Sequence, residues 1–219
     1  MTIAEFYEHY WQQPPGTPHC TESLVHERKA LLQAVLSDLP KAATMLDAGC
    51  GRGTFTAFLH NLGFRMIGID ISRAAIACAR QQYPKVQFAV ASLEGQFPFR
   101  DENFTAVWCT EVLEHLFDVR ATLAELNRVL RPGGKLVLTT PYHGFIKNLL
   151  IVFLSFDRHY DPYGEHIRFF SRHSLQRCLE QSGFVVEHWT GVGRSWPVWM
   201  SQFVVARKTA NLEPESERF

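Results

Sequence analysis

Two groups of residues have types and spacings that could do chemistry. The first is an Asp-x-Gly-x-Gly-x-Gly run formed by Asp47, Gly49, Gly51 and Gly53. Glycines at alternate positions let the backbone turn tightly and let a ligand approach the main chain. Asp70 follows the first glycine by about 20 residues, the spacing at which a carboxylate meets ribose hydroxyls. The second group is Glu111, Glu114 and His115, written Glu-Val-Leu-Glu-His. An imidazole such as His115 can serve as general base.

The elements that must position these groups alternate between strand and helix. Thr44–Ala48 reads as a short apolar strand, then the glycine turn, then a helix through Leu62. Phe64–Ile69 is the next strand, and Ser72 caps a helix reaching about Gln82. Val86–Ala91 and Phe104–Cys109 are strands, and Ala121–Leu130 is a helix stopped by Arg131-Pro132-Gly133-Gly134. Lys135–Thr140 is a strand ending at Pro141. Ser171–Ser182 is a helix closed by Gly183, and Phe184–Thr190 and Ser201–Lys208 are two further strands. Such alternation predicts an α/β fold: a doubly wound, Rossmann-like, seven-stranded sheet, mostly parallel, with an antiparallel C-terminal edge hairpin and helices on both faces. The expected divisions are an N-terminal helical lid (1–43), a core holding the glycine run (44–141), an acceptor-side insertion (142–170), a C-terminal helix with edge strands (171–210) and a polar tail (211–219). The first division reads as two helices around a break at Gln13–Pro18.

The glycine run and Asp70 would also suit a nicotinamide dinucleotide, but Asp47 argues against it. A pyrophosphate wants bare amides at a helix N-terminus. A sulfonium donor with an amino group and no phosphate accepts an acid in the loop. From Asp47 to Gly134 the chain resembles the class I S-adenosylmethionine-dependent methyltransferases, in particular the type 11 group. Four blocks carry the resemblance in order: Leu46–Gly53, Gly68–Ser72, Glu111–His115 and Arg131–Gly134. The resemblance implies that the loop Gly49, Cys50, Gly51 and Gly53 contacts the methionine part of the donor. Asp47 would organise that loop, and Asp70 with Ile71 would hold the ribose. Ser92 and Leu93 would lie against adenine, although the family usually has aspartate where this chain has Ser92. Cys109 and Thr110 would line the pocket by backbone.

On the acceptor side the chain is similar in part to the ubiquinone-biosynthesis O-methyltransferases. Their Glu-x-x-Glu-His segment binds a divalent metal, and a histidine after the fifth strand joins it. The resemblance makes Glu111, Glu114, His115 and, from Gly164–Phe170, His166 the metal candidates, two carboxylates and two imidazoles suited to magnesium, manganese or zinc, and it makes His115 and His166 the catalytic candidates. In that family an apolar insertion after the fifth strand contacts lipid. Here the matching stretch is Phe145–Phe156, whose alternatives are a helix packed over the acceptor pocket and a dimer contact. Phe6, Tyr7, Tyr10 and Trp11 could form an arm that closes over the site.

Bulk properties narrow the field. Lys plus Arg equals Asp plus Glu at 22 each, so no basic stripe points to nucleic acid. The five cysteines are scattered with no C-x-x-C pair, which fits a reducing compartment and no zinc ribbon. No signal peptide or membrane-spanning stretch is evident. The expectation is a cytoplasmic enzyme that methylates a small-molecule acceptor, at oxygen. The alternatives are an RNA or protein methyltransferase and a non-catalytic S-adenosylmethionine-binding protein.

Overall fold

The computed structural model describes residues 3–12, 22–161 and 163–209. The break at 13–18, Cys20 and the tail at 211–219 lie outside the described residues. In chain order the elements are α1 (Ile3–Gln12), α2 (Glu22–Val35), β1 (Thr44–Ala48), α3 (Thr54–Asn61), β2 (Arg65–Asp70), α4 (Arg73–Gln82) and β3 (Gln87–Val90). Then come β4 (Phe104–Thr110), a 3-10 turn (Leu113–His115), α5 (Val119–Val129), β5 (Leu130–Pro141), α6 (Phe145–His159), α7 (Arg172–Gln181), β6 (Phe184–Val192) and β7 (Ser201–Lys208).

One seven-stranded sheet runs β3-β2-β1-β4-β5-β7-β6. Strands β1 to β5 pair in parallel, and β7 pairs antiparallel with both β5 and β6. The expected mixed sheet with an antiparallel edge hairpin is therefore present. Strand order reverses between β1 and β4, and open α/β sheets bind ligands in the crevice beyond the strand ends at such a point.

The strands bury both faces because apolar residues occupy both parities. On one face Leu46, Val107, Leu136, Leu138 and Val204 pack under Leu123 and Leu126 of α5 and Leu175 and Leu179 of α7. On the other, Met45, Trp108, Val137, Phe203 and Val205 pack under Leu32 of α2 and Phe55 and Leu59 of α3. Trp108 is completely buried between Phe55 and Phe203. Burial of each such side chain contributes roughly 1.5–3 kcal/mol.

Helix ends follow their local chemistry. Ser72 Oγ accepts the Ala75 N–H at 3.1 Å to start α4, and Ser171 with Ser174 makes a capping box at α7. One boundary differs from expectation. Arg131-Pro132-Gly133-Gly134 does not precede β5 but lies inside it. Leu130 pairs with Phe104 and Lys135 with Ala106, so the four residues between bulge out of the ladder.

Candidate functional site

The glycine run leaves β1 at the strand's C-terminal end. The last β1–β4 pair is Asp47 with Trp108, so Cys109 and Thr110 extend beyond it, beside the loop. Gly51 has φ +50°, and a Cβ there would come within 2.7 Å of the Trp11 ring. Gly53 has φ +79°, and its Cβ would meet Phe88 at 2.6 Å. Both positions therefore need glycine for conformation and for space.

Asp47 is buried, and its Oδ2 accepts the Thr56 hydroxyl at 2.6 Å. Its Oδ1 is buried without a hydrogen-bond partner among the described residues. Burial pushes the Asp47 pKa up to about 7, against the Thr56 hydrogen bond. Asp70 at the end of β2 accepts the Gly51 N–H at 2.9 Å on Oδ2 and the Ser72 N–H at 2.9 Å on Oδ1. Asp70 therefore ties the glycine loop to the start of α4. Each oxygen keeps a second acceptor site for a ligand hydroxyl. Its pKa is raised by burial and lowered less by those backbone donors.

The remaining donor-side residues fall around this loop. Ile71 is half-buried between Asp70 and the cap Ser72. Ser92 is exposed, and its hydroxyl folds back to accept the Glu94 N–H at 3.1 Å. Leu93 is buried. Cys50 and Cys109 are free thiols, as are Cys78 and Cys178, and burial raises the pKa of the first two. The Thr110 hydroxyl hydrogen-bonds to Thr139 at 2.7 Å.

Helix α1 lies across this end of the sheet. Glu8 accepts the Ser72 hydroxyl at 3.0 Å and the Ala74 N–H at 3.1 Å, adding a carboxylate to the positive end of α4. Arg52 donates to the Trp11 carbonyl at 3.0 Å and rests over the Trp11 ring. The Tyr7 ring meets His115 edge-on at 5.8 Å.

The second constellation follows β4. Glu114 is fully buried, and neither carboxylate oxygen has a hydrogen-bond partner among the described residues. Burial and then the Glu111 charge hold its pKa well above the usual 4.5. Its backbone carbonyl accepts the Ile167 and Arg168 N–H groups at 2.9 and 3.0 Å, which pins the 165–168 segment beside it. His115 Nδ1 faces the Glu165 carbonyl at 2.9 Å. A carbonyl only accepts, so the proton belongs on Nδ1 and the lone pair on Nε2. His115 and His166 rings are 4.9 Å apart, and ligand atoms of Glu114, His115 and His166 all lie within 4.8 Å of one another.

Glu111 does not join them. It adopts φ +49° and turns toward α2, where Arg28 pairs with its Oε1 at 2.9 Å and Thr139 donates to the same oxygen at 2.8 Å. The four-residue metal set expected from the sequence is thus reduced to three. Arg28 was missed, yet it carried a signal. It is a cation in the Leu24–Arg28–Leu32 stripe that α2 buries.

The family profile described as "Methyltransferase domain" matches residues 22–189. The chain belongs to this methyltransferase family. It is 33% identical over 148 residues to a probable S-adenosylmethionine-dependent methyltransferase of Mycolicibacterium smegmatis, covering 68% of this chain and 54% of that one. It is 34% identical over 158 residues to the human mitochondrial ubiquinone biosynthesis O-methyltransferase, covering 68% and 43%. The chain therefore spans about half the length of these curated relatives. Among solved structures, magnesium protoporphyrin IX methyltransferase from Synechocystis with bound SAH superposes with a TM-score of 0.68 at 17% identity, covering 94% of this chain and 95% of that one. That likeness concerns the fold. Together these place the chain among the class I S-adenosylmethionine-dependent methyltransferases.

Proposed function

We propose that the protein transfers a methyl group from S-adenosylmethionine to an oxygen of a small-molecule acceptor. The observation that carries the reading is the presence of two sites beyond the C-terminal ends of the neighbouring parallel strands β1 and β4. On one side is the glycine loop with Asp47 and Asp70. On the other are Glu114, His115 and His166. The sulfonium is already activated, so the protein's task is alignment plus removal of the acceptor proton. His115 Nε2 is oriented for that removal by the Glu165 carbonyl. Asp47 carries a buried oxygen ready to accept from the donor's amino group, and Asp70 serves the ribose. Ser92 and Leu93 flank adenine, and Cys109 and Thr110 offer backbone. Helix α1 acts as a lid, with Trp11 over Gly51 and Tyr7 against His115.

The three-residue cluster fits a divalent cation. The buried Glu114 carboxylate has no hydrogen-bond partner among the described residues and meets His115 Nε2 only at 3.8 Å, an expensive arrangement that a cation between them would relieve. Such an ion would take the His115 Nε2 lone pair, so His115 would then be a ligand instead of the base, and loss of the acceptor proton would follow from the lowered pKa of a bound hydroxyl. The human relative is named for ubiquinone biosynthesis and O-methylation, which favours an oxygen acceptor.

Phe145–Phe156 lies within α6, which has no buried residue, and Phe145, Phe153 and Leu154 are 81%, 76% and 79% exposed. No helix among the described residues is long and apolar enough to cross a membrane. This outer face is proposed to rest on a lipid surface. Liposome co-sedimentation should be lost in Phe153→Asp/Leu154→Asp, and a wild type that stays in solution refutes it.

The activity test is transfer of labelled methyl from S-adenosylmethionine to a panel of hydroxylated acceptors. His115→Ala should lose about 10²–10⁴ in kcat while keeping its affinity for S-adenosylhomocysteine. Equal turnover by the variant would remove His115 from the chemistry.

A further inference from the structure

A nucleoside whose ribose is held at Asp70 lays its base beyond the end of β3. Strands β2 and β3 are parallel neighbours in register, Asp70 beside Val90, and the Ala91 N–H donates to the Asp70 carbonyl at 2.9 Å. The residues next in line are Ser92 to Gln96. The floor there is apolar. Leu93 is buried in the main core, and the Thr122 hydroxyl donates to its carbonyl at 2.9 Å, which fixes the loop. Ile71, next to Asp70, is half-buried.

The polar side chains of this loop are already engaged. The Ser92 hydroxyl donates to the Glu94 carbonyl at 3.2 Å and accepts the Glu94 N–H at 3.1 Å. Glu94 is the one acid between residues 91 and 96. Its Oε1 reaches the loop after β4, where it accepts the Phe117 N–H at 2.5 Å and the Asp118 N–H at 3.2 Å. The rim beyond is open. Ser92, Gly95 and Gln96 are exposed, and a Cβ at Gly95 would meet nothing within 4 Å.

Adenine differs from plain purine by its 6-amino group, a hydrogen-bond donor. A carboxylate would hold that group by a charge-assisted bond, roughly twice as strong as a neutral one. A neutral hydroxyl at a wet rim only exchanges one water contact for another, and the net gain is small. The ring faces, by contrast, meet apolar surface whatever stands at position 6. We propose that Ser92 is a specificity-determining residue that leaves the donor's 6-amino group unread, so that the site accepts S-adenosyl donors altered at that position, N6-alkylated ones among them. This rests on the donor reading above, in which Ser92 and Leu93 flank adenine, and deepens it.

The test titrates three probes calorimetrically into the whole chain: S-adenosylhomocysteine, its 6-deamino counterpart with purine in place of adenine, and its N6-methyl counterpart. Wild type should bind all three within about fivefold of one another. Aspartate at this exposed position can still accept the Glu94 N–H in the same kind of turn. Ser92→Asp should therefore keep its melting temperature and bind S-adenosylhomocysteine about tenfold or more tightly than the deaminated probe. A wider spread in wild type overturns the proposal. So does a folded Ser92→Asp that treats the two probes alike, because position 92 would then not face the 6-edge of the base. Either result leaves the donor site standing, and the wild-type comparison decides alone if the variant does not fold. Failure of wild type to bind S-adenosylhomocysteine overturns the methyltransferase reading itself, and this inference with it.

Discussion

Replacing Glu114 by glutamine should stabilise the metal-free protein, and more so as pH rises. Glu114 is wholly buried, both oxygens lack hydrogen-bond partners among the described residues, and burial followed by the Glu111 charge raises its pKa well above 4.5. An acid with a raised native pKa loses stability as pH climbs past its unfolded value. The unfolded chain releases the proton there and the native chain does not. Each pH unit within that window is worth about 1.4 kcal/mol. Glutamine copies the shape of the protonated carboxyl and has no proton to release. As pH rises past the ordinary carboxylate range, the stability difference should keep shifting toward the variant for as long as the native carboxyl keeps its proton. Asp47 and Asp70 also have raised pKa values, but they contribute the same slope to both proteins and cancel. Urea denaturation with a chelator present measures the difference directly. A second arm adds manganese or zinc. Wild type should gain about 2.7 kcal/mol at a hundredfold excess over Kd, and the variant should gain far less. A stability difference that is flat with pH, together with equal metal responses, would refute both the unpaired carboxylate and the cation site.

Three further outcomes follow from the same geometry. Affinity for S-adenosylhomocysteine should rise from about pH 6 to about pH 8 as Asp47, whose pKa is about 7, ionises toward the ligand's amino group; Asp47→Asn should flatten the profile in calorimetry. Gly53→Ala should cost about 1–2 kcal/mol for the left-handed backbone and about 1–3 kcal/mol for overpacking on Phe88, read as a lower melting temperature. Arg28→Met should destabilise by about 1–3 kcal/mol in urea melts, below the figure for a fully buried pair because the Glu111 side chain is 29% exposed; an unchanged midpoint would show that Thr139 alone holds Glu111.

The donor half was legible from sequence because its requirements are local. A strand, a glycine turn and an acid about 20 residues on fix one another's positions, since β1 and β2 are neighbours in register, Asp47 beside Gly68. Ser72 and Ser171 marked helix starts because a hydroxyl cap acts within one turn. The run at Arg131–Gly134 misled because proline and glycine usually end elements. Here they form a bulge that the flanking pairs Phe104–Leu130 and Ala106–Lys135 hold within the sheet. Glu111 was misplaced for a different reason. Motif spacing gives neighbours along the chain, but a positive φ at Glu111 sends its side chain to the other flank, where a cation from a helix 83 positions earlier waits. Only the apolar periodicity of α2, broken by Arg28, hinted at that partner.

Helix α6 shows where periodicity stops being informative. A hydrophobic pattern reveals that a helix has two unlike faces; it does not reveal which one turns inward. For α2 and α5 the usual answer holds, since Leu32, Leu123 and Leu126 are buried. For α6 it fails, because the groups it meets beneath are His143 and the Met200 carbonyl rather than core side chains. Polar residues turned inward lower the cost of that wall, and the apolar ones are left to solvent. Leaving eight large apolar side chains between Phe145 and Phe156 exposed is unfavourable by roughly 25 cal/mol for each Å² of apolar surface. That cost argues that the outer face meets an apolar surface absent from the isolated chain. Phe153→Asp/Leu154→Asp tests this directly, because it changes the outer face and leaves the His143–Asn148 contact beneath the helix untouched. If the double variant lost methyl transfer in solution as well as liposome binding, α6 would be a single structural strut and the division of labour between its faces would be wrong.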